Sequence, residues 1–353
     1  MKPNIFDIAT KELSQDGFFT WLLQWADPKN SQYNQPLNET AKDFVRLLLK
    51  ESSDFQIQEV KTQNQWKNID ICAEINGKYF IFIEDKTNAG EHSGQLDRYK
   101  KKSEEWFKGN KYEKFICIYL KTGNESLFLL EKVEKQCFSV IDRKAVLSVL
   151  NKREVANDIF NDFKERLKGI EEATNSFIEF KKMTSEWRAA EGFFMALEKQ
   201  ISELTKPEWR YVANPTGGFL GFWYHWKEIT EVGKIYIQIE NSVKGNTQIE
   251  NPIKASIQLV IKIKFSASTP STETLYRVFG EIEPVAKKQG LTILKPTKYR
   301  AGVTSTLAVI ENAFTVVDGN IELDKFRLTL KKLEQTLDEY FEKVNSSPNE
   351  ILS

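Results

Sequence analysis

Two short apolar runs separated by Asn76-Gly77 constrain this chain more than any other feature. Ile69-Asp-Ile-Cys-Ala-Glu-Ile75 and Tyr79-Phe-Ile-Phe-Ile83 are rich in β-branched and aromatic residues, and Asn-Gly between such runs is a strong hairpin signal. The charges sit at the strand ends. Asp70, within Asn68-Ile-Asp70, opens the first strand; Glu84-Asp85-Lys86 closes the second. Ionisable groups at the ends of otherwise apolar strands are costly unless they pair or hold a metal. Residues directly opposite in an antiparallel pair share a face. A two-residue Asn76-Gly77 loop would set Asp70 opposite Ile83 and turn Glu84 to the other face. A three-residue turn such as Ile75-Asn76-Gly77, or a bulge, restores the match, so one of these is expected, with Gly77 at positive φ.

Two carboxylates beside a lysine supply the chemistry needed to hold Mg²⁺ and to activate a water against a phosphodiester. The blander reading is a strand-end ion pair, since Glu84 and Lys86 lie two apart and share a face. Gln95 and Tyr99 follow at Gln-x-x-x-Tyr spacing, on one face of the next helix. This set resembles the PD-(D/E)XK nuclease superfamily, the restriction-endonuclease-like fold. There an aspartate, matched by Asp70, precedes an (Asp/Glu)-x-Lys triplet, matched by Glu84 and Lys86 with Asp85 as its variable middle residue. Gln95 and Tyr99 match an element of the exonuclease-like branch. Ile69 stands where the pattern has proline. The run from Glu84 to Tyr99 and the start Asn4-Ile-Phe-Asp-Ile-Ala-Thr-Lys-Glu-Leu-Ser-Gln-Asp16 are also similar to bacterial members, so the resemblance covers roughly residues 1–150.

The resemblance implies a catalytic set of Asp70, Glu84, Lys86, Gln95 and Tyr99, with Mg²⁺ or Mn²⁺ held by Asp70, Glu84 and a glutamate on the first helix. Glu12 is the best match for that glutamate; Asp16, four residues on, is the alternative, although a carboxylate at a helix start is also favourable in its own right. The Asp85 carbonyl is implied as a further ligand, Lys86 as the group that orients or deprotonates the attacking water, and Gln95 as a contact to base or sugar or a brace for Lys86. Arg98, Lys100, Lys101 and Lys102 form a basic cluster beside Tyr99, read either as a backbone-contacting patch or as a solvated helix face. His92 lies nearby in a loop and reads as polar surface.

The formal net charge of zero argues against a generic nucleic-acid coat, not against a local phosphate site. Three cysteines, Cys72, Cys117 and Cys137, show no metal spacing; the first two lie in apolar runs and read as buried thiols of a cytoplasmic protein. No apolar run is long enough to span a membrane, and the N-terminus lacks a secretory pattern.

The length suggests two domains. Helices are expected over 15–26, capped by Ser14, and over 38–50. Strands are expected near 55–62, 69–75, 78–84, 114–120 and 138–141, with a helix near 93 and another from 143. This is an α/β mixed sheet flanked by helices. From 151 to 204 the pattern is helical and charged, interrupted at Gly169, and the boundary is placed near residue 180. Residues 181–353 then read as an α+β domain for recognition or partner binding. Its strand 257–265 has one wet face, its helices run over 272–288 and 322–344, and its further strands over 291–294 and 303–310. Gly217-Gly218-x-x-Gly221 lacks the features of a phosphate loop and sits beside Trp223 and Trp226, which suggests aromatic packing, with base stacking on exposed tryptophans as the sharper alternative.

The expected function is metal-dependent hydrolysis of DNA phosphodiester bonds, in defence against foreign DNA or in repair. RNA remains an alternative substrate, and a homo-oligomer is compatible with the sequence. The competing class is a non-catalytic nucleic-acid-binding or regulatory protein that keeps the fold.

Overall fold

The computed structural model describes residues 2–66, 69–87, 100–101, 104–105, 107–109, 112–201, 206–215, 217–229, 232–244, 251–266 and 270–346. The chain forms two compact units, Met1–Glu172 and Ala173–Ser353. The division falls inside a helix, ahead of residue 180.

The first unit begins with α1 (Ile5–Ile8), α2 (Glu12–Trp25) and α3 (Gln35–Leu49). Its strands are β1 (Val60–Trp66), β2 (Ile69–Ile75), β3 (Tyr79–Lys86) and β4 (Lys114–Lys121); then come α4 (Leu127–Lys135), β5 (Ser139–Asp142), α5 (Arg143–Leu150) and α6 (Asp158–Asn175). The sheet order is β1-β2-β3-β4-β5. β1–β2 and β2–β3 are antiparallel; β3–β4 and β4–β5 are parallel. Ile71, Ala73, Ile75, Ile81, Ile83, Ile118 and Leu120 face a core built from α2, α3, α5 and α6. Cys72, Phe80, Phe82, Cys117 and Tyr119 face a second, smaller cluster with Val133 and Phe138. Cover on both faces is why these strands read as near-continuous apolar runs.

Three expectations are corrected here. Ser14 does not cap α2: the cap position is Lys11, without a side-chain bond, so the helix takes in Glu12. α3 starts before residue 38, because the Asn34 side chain accepts from Leu37 N–H and Pro36 suits the first turn. β1 lies at 60–66 rather than 55–62. The backbone before it is held by side chains instead of a ladder: Asn76 bonds the main chain of Gln56, Gln58 and Glu59, and Arg46 donates to Phe55 O.

In the second unit α7 (Phe180–Ser185) and α8 (Trp187–Glu198) precede β6 (Glu208–Val212), β7 (Phe219–Ile229), β8 (Gly233–Asn241) and β9 (Ile257–Phe265). α9 (Thr272–Lys288), β10 (Ile293–Leu294), β11 (Thr304–Ile310), the ribbon β12 (Val316–Val317) and β13 (Asn320–Ile321), and α10 (Leu323–Ser346) complete it. The antiparallel sheet runs β10-β11-β9-β8-β7-β6. Ile235, Ile237 and Ile239 of β8 and Ile257, Leu259, Ile261 and Ile263 of β9 share one core with Phe194, Leu275, Val278, Ile282, Phe326, Leu330 and Leu337 of the helices. The intervening residues form the opposite face. Gly169 does not break α6. A Cβ there would meet nothing within 4 Å, and the break comes at Ser176–Ile178 instead. The glycines before Trp223 do serve aromatic packing: a Cβ on Gly218 would strike the Tyr211 ring at 2.6 Å, and one on Gly221 the Trp223 ring at 2.9 Å.

Candidate active site

The hairpin turn is set by Asn76 and Gly77, both left-handed at φ 57° and 64°. Lys78 N–H closes it on Ile75 O at 3.0 Å, and Ile75 pairs with Tyr79. The loop is therefore three residues, Asn76-Gly77-Lys78, one position later than Ile75-Asn76-Gly77. The odd count does what parity required. Pairs from Ile75↔Tyr79 to Ile71↔Ile83 continue by one step to Asp70 opposite Glu84, so both carboxylates lie on one face.

Lys86 joins them from two residues along β3. Its Nζ lies 2.7 Å from Glu84 Oε1, 3.7 Å from Asp70 Oδ2 and 4.0 Å from Glu12 Oε2. Asp70 Oδ2 also accepts from Asp85 N–H at 3.0 Å, and Glu12 Oε1 from Thr87 N–H at 3.0 Å. Glu12 thus reaches the end of β3 from the first turn of α2.

Burial makes this cluster electrostatically expensive. Glu84 is fully buried, and burial together with the Asp70 charge pushes its pKa up to about 7. Burial works against the Lys86 ammonium, but the Glu84, Asp70 and Glu12 carboxylates outweigh it and raise its pKa. Cations therefore belong here: the site holds three carboxylates around one ammonium.

The Asp85 side chain points the other way, toward α2. It accepts from Gln15 Nε2 at 2.6 Å, and Gln15 Oε1 accepts from Thr122 Oγ1 at 2.7 Å. Asp16 also packs here, receiving a bond from Gln65 Nε2 at 3.0 Å. Burial raises the Asp16 pKa to about 6; burial and the neighbouring Asp16 carboxyl raise that of Asp85 well above the usual range. Asp16 is thus engaged with Asp85, whereas Glu12 lies beside Lys86. Among the described residues no three acidic, histidine or cysteine side chains form a ready-made metal cage.

Gln95, Tyr99, Arg98, Lys102 and His92 lie outside the described residues. Lys100 and Lys101 are helical. Lys100 Nζ donates to Gln136 O at 3.2 Å and lies 4.0 Å from Glu104, while Lys101 is exposed. Gln15 and Thr122, which hold Asp85, carried no sequence signal: they are 70 and 107 positions from their partners. Cys72 and Cys117 are buried, with thiols pushed up to about 12 by burial; Cys137 is exposed. Among the described residues no helix is long and apolar enough to cross a membrane.

No curated protein and no solved structure matches the chain. A family profile described as the PD-(D/E)XK nuclease superfamily does, over residues 3–179, half of the chain, and that stretch contains the hairpin, Glu12 and Lys86. The chain belongs to the PD-(D/E)XK nuclease superfamily.

Proposed function

We propose that the first unit is a metal-dependent nuclease that hydrolyses DNA phosphodiester bonds. The observation that carries this reading is the register: Asp70 and Glu84 sit opposite each other on one face, with the Lys86 ammonium 2.7 Å from Glu84. The donor set fits a hard divalent ion such as Mg²⁺ or Mn²⁺, which is held by one or two carboxylates and completes its shell with water and phosphate oxygens. Asp70 and Glu84 would hold it, with the Asp85 carbonyl and Glu12 as further oxygens. The bound ion would polarise the phosphate and lower the pKa of a water.

The chain's own residues set the rest. Lys86 keeps its proton at the site, so it offsets charge developing on phosphate and orients the attacking water. The Asp85 N–H bond to Asp70 Oδ2 fixes the face that Asp70 presents. The Gln15–Thr122 pair holds the Asp85 side chain, and with it the backbone next to Glu84. The fold-retaining, non-catalytic alternative predicts binding of DNA without cleavage.

The test is cleavage of linear and circular DNA with Mg²⁺ or Mn²⁺. Asp70→Ala should lose both metal binding and cleavage; Lys86→Ala should keep metal and lose the chemical step. Undiminished cleavage in either purified variant would sink the assignment.

A further inference from the structure

The helices of the second unit share a core with one face of its sheet, and the residues of the other face form an organised surface. Across β8 and β9 the pairs are Lys234↔Lys264, Tyr236↔Lys262 and Gln238↔Val260. Two lysines directly opposite each other repel and are unfavourable by themselves. Lys234 lies 3.5 Å from Glu228, while Lys264 is exposed and makes no ion pair among the described residues. Lys262 is already committed, to Glu240 at 3.0 Å and Thr306 Oγ1 at 2.9 Å.

Beside these lysines lies an aromatic stack made by a β-bulge. Tyr224 pairs with Ile237 and Lys227 with Ile235, so His225 and Trp226 together oppose Tyr236. His225 takes the left-handed conformation, φ 58°, and its ring meets Asp338 of α10 on the core side. The extra residue re-aims Trp226 to the open face. Its ring stacks on Tyr236 at 3.8 Å and 23°, yet Trp226 stays 41% exposed. Trp223 lies further along β7, bonded to Glu208 and overlaid by Arg210 at 5.4 Å.

We propose that this face binds single-stranded DNA: a base stacks on the free side of Trp226, and Lys234 and Lys264 take the flanking phosphates. Stacking on an aromatic ring beside solvent-exposed cations, here Lys264 and the Glu228-paired Lys234, is the chemistry of sequence-tolerant strand binding. Phosphate between Lys234 and Lys264 relieves their repulsion. Gln238, Glu240, Lys262 and Thr306 on the same face bond one another, which leaves stacking and phosphate contact as the modes of binding, and neither needs a ribose 2′-hydroxyl.

The experiment uses the full chain in EDTA, so that cleavage is off, and a labelled oligothymidylate of about twelve nucleotides. Binding should quench tryptophan fluorescence. Trp226→Ala should weaken it about fivefold or more, with Trp226→Phe close to wild type. Lys234→Gln with Lys264→Gln should flatten the log Kd against log salt slope by about 1.4. Circular dichroism checks that each variant is folded. Unchanged affinity in folded Trp226→Ala, tighter binding of oligouridylate than oligothymidylate, or no binding at all would each overturn the proposal. These outcomes are independent of cleavage by the first unit, which Asp70→Ala tests separately.

Discussion

The two sheets place their charges oppositely. In the first unit the sheet is covered on both faces, yet Glu84, Asp85 and Lys86 at the end of β3 are all buried. In the second, Lys234, Lys264 and Arg210 lie on a wet face, and among the described side chains buried in that unit Glu198 is the one that carries a charge. A buried charge cluster costs stability unless function or a ligand repays it, whereas a wet charge costs little. The contrast underlies the two proposals, chemistry in the first sheet and surface recognition in the second, and it can be broken at either end.

The largest effect should come from the turn. Deleting Lys78 would make the loop even and send Asp70 and Glu84 to opposite faces, or force the whole strand to slip. Cleavage and metal binding should both vanish, read by nuclease assay and by titration calorimetry with Mn²⁺. A deletion variant that is folded and active would break the link between register and site. Next, Lys86→Ala should lower the turnover number by about 10²–10³-fold, as expected when a pre-placed charge is removed from a transition state.

A third prediction concerns pH. The folded-state pKa of Glu84, about 7, lies above its ordinary value, so the folded protein binds the extra proton. The associated stability is complete below the unfolded pKa and is lost as pH rises through about 7. Asp16, at about 6, adds in the same direction. The metal-free protein should therefore melt at lower temperature at pH 8 than at pH 5. Glu84→Gln should remove part of that slope and stabilise the metal-free protein at pH 8 by on the order of 2 kcal/mol. Mg²⁺ should raise the wild-type melting temperature above pH 7 and leave Glu84→Gln unmoved. The second unit offers the contrast: Glu339 is shifted down, not up, by Lys288.

The smallest effect is chemical labelling. Cys137 is exposed and should react with a thiol reagent in the folded protein, while Cys72 and Cys117 react only on unfolding.

Asp70, Glu84 and Lys86 were legible because they lie on one hairpin, where the Asn-Gly signal and strand periodicity fix neighbours locally. Even so, the turn sits one residue later than expected, since the sequence cannot tell which side of Asn76-Gly77 takes the third residue. β1 was misplaced because an edge strand such as Lys61-Thr-Gln-Asn-Gln65 buries little and carries no apolar run. Gly169 marked a false break, because one glycine costs a long helix only about 1 kcal/mol, which packing readily offsets. Gln15, Thr122 and Arg143, whose guanidinium donates to Thr122 O at 2.7 Å, brace the site from distant segments and leave no trace in local pattern. The Trp226 stack was half-visible: the aromatic concentration was plain, but the bulge that turns the ring outward depends on a single left-handed residue.

The Asn76-Gly77-Lys78 turn also carries a consequence for descent. Residues within the hairpin can be exchanged one at a time, provided Asn76 and Gly77 keep conformations that tolerate positive φ. Its length cannot drift in the same way. On the proposed mechanism, gain or loss of a single codon between Asp70 and Glu84 would leave an inactive intermediate, so a lineage could lengthen or shorten this hairpin only by two codons at once. Comparing close relatives, the spacing between these two carboxylates should differ by even numbers or not at all, while loops elsewhere in the chain vary freely.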